Sequence, residues 1–195
     1  MLRSYYTNHF IEAGCDEAGR GSYAGPVFAA AVILPNDFFH PLLNDSKKVK
    51  ELDRKFLRGV IEKEAIRFSV AMVDHIEIDR INILKASFKA MHHAIDGLNI
   101  IPDILLIDGN RFIKYKSINH ECIIRGDGVF TSIAAASILA KTYRDDFMSA
   151  LHLEYPDYNW RKNKGYGTLQ HRKAIEVNGL CFYHRKSYNI SPYRP

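Results

Sequence analysis

The sequence predicts an α/β domain with a helical extension at its C-terminal end. Three observations predict it. Residues 27–34 form an unbroken apolar run entered through Gly25-Pro26, as expected of a strand covered on both faces. Leu84, Phe88, Met91, Ile95 and Leu98 form a clean stripe at helical spacing. Segments of strand and helix character then alternate to about residue 150, after which strand signals cease.

Residues 12–17 read as a short strand closed by the turn Gly19-Arg20-Gly21. In 51–65, Leu52, Phe56 and Val60 recur at helical spacing, as do Leu57 and Ile61, which predicts an amphipathic helix. Phe68, Val70 and Met72 alternate with Arg67, Ser69 and Ala71, a half-buried strand. The stripe from Leu84 to Leu98 is broken by the segment Asn99 to Pro102. Residues 104–107 and 122–124 read as two short strands, stopped by Asp108-Gly109-Asn110 and Gly126-Asp127-Gly128. A long helix follows, with Ala136, Ala140, Tyr143, Phe147 and Leu151 on one face, and Tyr155-Pro156 ends it. The last helix starts at Thr168, a good N-cap, and stops at Asn178-Gly179.

The chain has 195 residues, 47% hydrophobic and 25% charged, which suits one globular domain and excludes long disorder. Its apolar runs are too short to span a bilayer and its first residues lack a signal core, so a cytoplasmic protein is expected. Cys15, Cys122 and Cys181 are far apart and odd in number, which points to free thiols and not to a disulfide or zinc framework. The net charge of +5 suggests an anionic partner. Its distribution matters more. Lys47, Lys48, Lys50, Arg54, Lys55 and Arg58 form one basic cluster; Arg161, Lys162, Lys164, Arg172, Lys173, Arg185 and Lys186 form another, interleaved with aromatic residues. Such clusters fit a surface that follows a phosphate backbone, and equally an ordinary solvated surface.

Three acidic positions share a placement at or just past the end of an apolar strand: Asp16-Glu17, Asp108 and Asp127. Strand ends in α/β sheets are where ligands collect. Four carboxylates gathered there would repel one another and take up protons unless cations held them ionised. Oxygen-only ligation suits Mg²⁺ or Mn²⁺, and such ions can promote phosphoester hydrolysis. Each acidic turn taken singly also reads as a plain turn, because Asp and Gly favour turns in any case.

The stretch from Ala13-Gly14-Cys15-Asp16-Glu17 through Ala18-Gly19-Arg20-Gly21, followed by Gly25-Pro26-Val27, resembles the opening motif of the type 2 ribonucleases H. Further matching blocks follow in order: Leu43-Asn44-Asp45-Ser46-Lys47-Lys48, Ile81-Asn82-Ile83-Leu84, Leu106-Ile107-Asp108-Gly109-Asn110, Gly126-Asp127 with Ala135-Ala136-Ser137-Ile138-Leu139-Ala140-Lys141 and Arg144-Asp145, and Lys164-Gly165-Tyr166-Gly167-Thr168. The likeness covers about residues 11–187.

The resemblance implies a ribonuclease H-like mixed five-stranded sheet flanked by helices, within a single catalytic domain whose core is about 1–150 and whose extension is about 151–195. It implies that Asp16, Glu17, Asp108 and Asp127 are catalytic and hold two Mg²⁺ or Mn²⁺ ions. The implied reaction is hydrolysis of the phosphodiester 5′ to a ribonucleotide, in RNA/DNA hybrids and at single ribonucleotides in duplex DNA, leaving a 5′-phosphate and a 3′-hydroxyl. Gly19, Arg20 and Gly21 would read the 2′-hydroxyl and Tyr166 would pack on the neighbouring deoxyribose. Ser46, Lys47, Lys48 and Lys164 complete the implied substrate contacts. Roles for Ser137, Lys141 and His171 stay open between the site and ordinary packing. Many family members have Pro after the Gly-Arg-Gly triplet where this chain has Ser22, so a more mobile loop is expected. The final residues Ser191-Pro192-Tyr193-Arg194-Pro195 show no obvious docking peptide, and a monomer is expected.

A general metal-dependent nuclease or phosphatase with the same carboxylates, and a nucleic-acid-binding module without activity, are the competing readings at this stage.

Overall fold

β1 (Glu12–Ala18) is the middle strand of the sheet and is buried on both faces, although three of its seven residues are acidic. A computed structural model describes residues 2–190 and places five strands in one sheet. The others are β2 (Val27–Ile33), β3 (Arg67–Val73), β4 (Ile104–Asp108) and β5 (Asn119–Ile123), in the order β3-β2-β1-β4-β5. β1 pairs antiparallel with β2, and β2 with β3; β1 pairs parallel with β4, and β4 with β5. Only β1 and β2 are joined by a short loop, 19–26; the 34–66 connection between antiparallel β2 and β3 carries a helix, and β4 reaches the parallel β5 through the helix-free segment 109–118.

Six helices accompany the sheet among the described residues: α1 (Glu51–Glu64), α2 (His75–Ile81), α3 (Ile83–Asp96), α4 (Thr131–Glu154), the one-turn α5 (Trp160–Asn163) and α6 (Leu169–Asn178). Along β1, side chains alternate between faces. Ala13 and Cys15 join Ala90, Met91 and Ala94 of α3 in one core. Ala18 joins Leu57 and Ile61 of α1 and the alanine-rich start of α4 in the other. Gly14 sits where α4 crosses β1, and a Cβ there would collide with the main chain of Ser132. The missing side chain lets the helix lie against the strand.

The 12–17 and 27–34 strands, the 84–98 helix and the last helix match these elements closely. Three expectations need refinement, and one helix was missed. In α1 the buried residues are Leu57 and Ile61, whereas Leu52 and Phe56 are exposed by 80% and 58%. The two rows lie on adjacent sides of one helix, and only one of them meets the sheet. β5 starts three residues before the apolar run, at Asn119, because an edge strand pairs through main-chain groups and tolerates polar side chains. The first half of α4 is buried on every side and not along one stripe, since it is wedged between the sheet and the 38–49 loop. α2 was not expected at all. Its cap is a regular one, with Asp74 accepting from the Glu77 N–H at 2.8 Å.

The extension after α4 makes a third core, with Trp160, Tyr158 and Ile175 against Met148 and Leu151. The three cysteines are free thiols, and burial pushes Cys15 well above its usual range. Among the described residues no helix is long and apolar enough to cross a membrane. The final segment 191–195, on which the monomer expectation drew, lies outside the described residues.

Candidate active site

The register of the sheet brings the acidic strand ends together. Cys15 pairs with Ile107, and Ile107 with Cys122, so the ends of β1, β4 and β5 lie at the same level of the sheet. Asp16, Glu17, Asp108 and Asp127 all line one cleft of about 540 Å³. Asp16 and Glu17, as neighbours on a strand, leave it toward opposite faces. Asp16 lies on the α4 side with Ser137, and Glu17 also borders an adjoining depression under α3, lined by Ser87 and Phe88. Asp108 accepts the Gly126 N–H at 2.7 Å, which ties β4 to the turn that carries Asp127.

Burial dominates the electrostatics of the cleft, although Arg20, Lys47, Arg54 and Lys141 also line it. Burial raises the Asp16 carboxyl well above its usual range, and the charges of Glu17 and Asp108 raise it further. Asp127 is pushed up to about 6 by burial, with Asp108 and Asp45 adding to the shift. Burial also raises Glu17, although Arg20 opposes the shift through an Nη1–Oε1 ion pair of 3.0 Å. Bound cations would reverse these shifts. Among the described residues no three His, Cys, Asp or Glu side chains are placed so that they could hold an ion together as they stand. The donors that line the cleft are carboxylate and hydroxyl oxygens, a chemistry that suits Mg²⁺ or a similar hard ion that keeps part of its water shell. They do not form a finished zinc or calcium cage.

Gly19, Arg20, Gly21, Ser46, Lys47 and Tyr166 line the same cleft. Gly19 has φ +99°, and a Cβ there would strike the guanidinium of Arg144. Glycine is required at that point on both counts. Ser46 is buried, and its hydroxyl lies 2.9 Å from that of Ser137, which sits beside Asp16 and favours its ionised form. Lys48 is exposed and does not line the cleft. Lys164 is turned away from it: its amine donates to the Ser149 hydroxyl at 2.9 Å, and its carbonyl accepts from Arg144.

The open roles now have positions. Ser137 and Lys141 face the cleft from α4, one turn apart, and Lys141 is paired with Asp145. His171 is fully buried beneath the Tyr166 loop. Trp160 donates to its Nε2 at 3.0 Å, so its proton sits on Nδ1 and donates to the Tyr166 carbonyl at 3.0 Å. It packs and does not face the cleft. The loop expected to be mobile for want of Pro is hydrogen-bonded on both sides. Ser22 is buried and bridged to Tyr166, the Tyr23 N–H donates to the Gly165 carbonyl, and the Gly25 N–H to that of Tyr183.

Sequence reasoning missed Asp45 beside Asp127, and placed Arg54 only in a basic cluster. Arg54 lines the cleft and holds the carbonyls of Ser46 and Val49. The Asn44-Asp45-Ser46 turn was the available signal for Asp45, since its carboxylate organises the loop by accepting the Lys47 N–H at 2.9 Å.

The family model for ribonuclease HII matches residues 13–190. The chain belongs to the ribonuclease HII family. A curated ribonuclease HII of Bacteroides thetaiotaomicron is 60% identical over 190 residues, covering 97% of this chain and 95% of its own. That of Parabacteroides distasonis is 59% identical over 192 residues, covering 98% and 96%. Among solved structures, the ribonuclease H2 of Pyrococcus horikoshii OT3 superposes with a TM-score of 0.77 at 21% identity, covering 92% of this chain and 94% of that one. A ribonuclease HIII in complex with Mn²⁺ gives 0.68 at 19% identity, over 86% of this chain and 62% of that one. The five-stranded mixed sheet is the ribonuclease H fold, and the protein is a ribonuclease HII-type nuclease.

Proposed function

We propose that this ribonuclease hydrolyses the phosphodiester 5′ to a ribonucleotide, in RNA/DNA hybrids and at single ribonucleotides embedded in duplex DNA, leaving 5′-phosphate and 3′-hydroxyl ends. The observation that carries the reading is that four mutually repelling carboxylates share one cleft with a glycine-flanked loop and an aromatic ring.

Asp16, Glu17, Asp108 and Asp127 would hold two Mg²⁺ or Mn²⁺ ions, a view supported by Mn²⁺ in the ribonuclease HIII relative. Bound there, such ions supply an activated water and stabilise the leaving oxygen. The chain supplies the rest. Gly19-Arg20-Gly21 offers main-chain groups to the 2′-hydroxyl, the one sugar feature that separates RNA from DNA. Tyr166, 37% exposed and with the Arg144 guanidinium 5.5 Å from its ring centre, is a firm face for the adjoining deoxyribose. Ser46 holds the 43–48 loop to α4, which sets Lys47 over the cleft. Lys48 and Lys164 act on the strand at longer range. Core and extension work as one catalytic domain in this reading, because Tyr166 comes from the extension and the carboxylates from the sheet.

A 20-base-pair duplex with one ribonucleotide, assayed beside its all-DNA twin in Mg²⁺ and in Mn²⁺, tests the reading. The expected result is a single cut 5′ to the ribonucleotide with a 3′-hydroxyl on the upstream fragment, and no cut in the twin. Equal cutting of both duplexes would support the general-nuclease reading and defeat this one.

A further inference from the structure

We infer that Tyr188 and Arg185 are positioning residues for ribose selection, holding one peptide of the Gly19-Arg20-Gly21 loop in a single orientation. The inference rests on the proposed role of that loop at the 2′-hydroxyl.

Glycines on both sides of Arg20 leave the loop backbone free to choose among orientations. Something must choose one. The Arg20 carbonyl accepts two hydrogen bonds, from the Tyr188 hydroxyl at 2.5 Å and from Arg185 Nη1 at 3.0 Å. The two donors also bond each other, at 2.9 Å, which closes a triangle. A peptide is planar and trans, so fixing the carbonyl of Arg20 fixes the Gly21 N–H on the opposite side. The clamp thus determines which main-chain group the loop presents.

Its two donors are themselves anchored. Arg185 is fully buried; its Nε donates to the Gly25 carbonyl at 2.9 Å and its N–H to that of Tyr23 at 2.8 Å. Asp79 of α2 accepts the N–H groups of Lys186 and Ser187, each at 2.9 Å, and the Ser187 hydroxyl at 2.6 Å. The segment that carries the clamp is therefore fastened to the folded core. On its other side Arg20 pairs with Glu17, so one residue links the clamp to a carboxylate of the cleft. This arrangement also supplies the stiffness that a proline at position 22 would otherwise give.

Tyr188→Phe removes one donor and keeps the ring that lies near Arg185. The test compares cleavage at a ribonucleotide with cleavage at an arabinonucleotide in the same duplex, since the latter carries its 2′-hydroxyl on the opposite sugar face. The expected result is a roughly three- to ten-fold fall in kcat at the ribonucleotide with KM unchanged, the size of one lost hydrogen bond. The ribo-over-arabino preference should narrow with it, and the melting temperature should stay near that of the unaltered protein. Arg185→Lys, which keeps the charge but not the forked donor, should move the preference the same way. An equal fall on both substrates, or none, overturns the inference while the proposed function stands. Failure of the unaltered enzyme to cut at the ribonucleotide overturns both.

Discussion

Asp108→Asn is expected to lower the cleavage rate by at least about 10²-fold while leaving the fold intact, because a hard cation would lose an anionic ligand. The separation of the two effects follows from the geometry. Asp108 accepts the Gly126 N–H through Oδ1, and the amide oxygen of Asn can accept the same bond. The tie between β4 and the Asp127 turn survives, and only the charge is removed. Single-turnover cleavage measured beside a thermal melt checks both halves. A variant with near-normal rate would show that the Asp108 charge is not used; a variant that fails to fold would show that its main role is structural.

Gly14→Ala should be the most destabilising single-methyl change in the central strand. Its Cβ would meet main-chain atoms of Ser132 and Ile133, which cannot swing aside as a side chain can. Overpacking against backbone costs about 3 kcal/mol, and for a chain of this size the melting temperature should fall by about 10 °C. Activity should fall as well, since α4 carries Ser137, which lines the cleft beside Asp16. Gly59→Ala is the matched control. Gly59 lies in the exposed middle of α1 with nothing within 4 Å of the added methyl, so the change should stabilise by about 1 kcal/mol. Equal melting temperatures for the two variants would refute the close approach of α4 to β1.

Much of this architecture was legible because its signals are local. The run 27–33 is apolar throughout, since β2 is covered on both faces, and a two-sided strand needs no alternation to be seen. The helix from Ile83 announces itself by its stripe, whereas the Asn82 side chain that caps it emerged only in the structure. The acidic residues were legible as strand ends. Their convergence was not, because it depends on the pairings Cys15–Ile107 and Ile107–Cys122, and register between strands far apart in sequence leaves no local trace. The fate of Leu52 and Phe56 was hidden for a related reason: two apolar rows run along α1, and the sequence does not say which one the sheet takes. Ser137, Arg54 and Asp45 belong to the cleft only through contacts across tens of residues. Arg185 and Tyr188 looked like surface residues of a basic, aromatic tail, and became a clamp only when 183–188 was laid beside 23–25.

In the proposed function the four carboxylates of the cleft form a divalent-cation site. Crystals soaked in Mn²⁺ and measured for anomalous scattering test it most directly. Manganese peaks are expected inside the cleft, with oxygens of Asp16, Glu17, Asp108 and Asp127 as their protein ligands. Manganese bound only elsewhere on the surface, with this cleft left empty at millimolar metal, would contradict it.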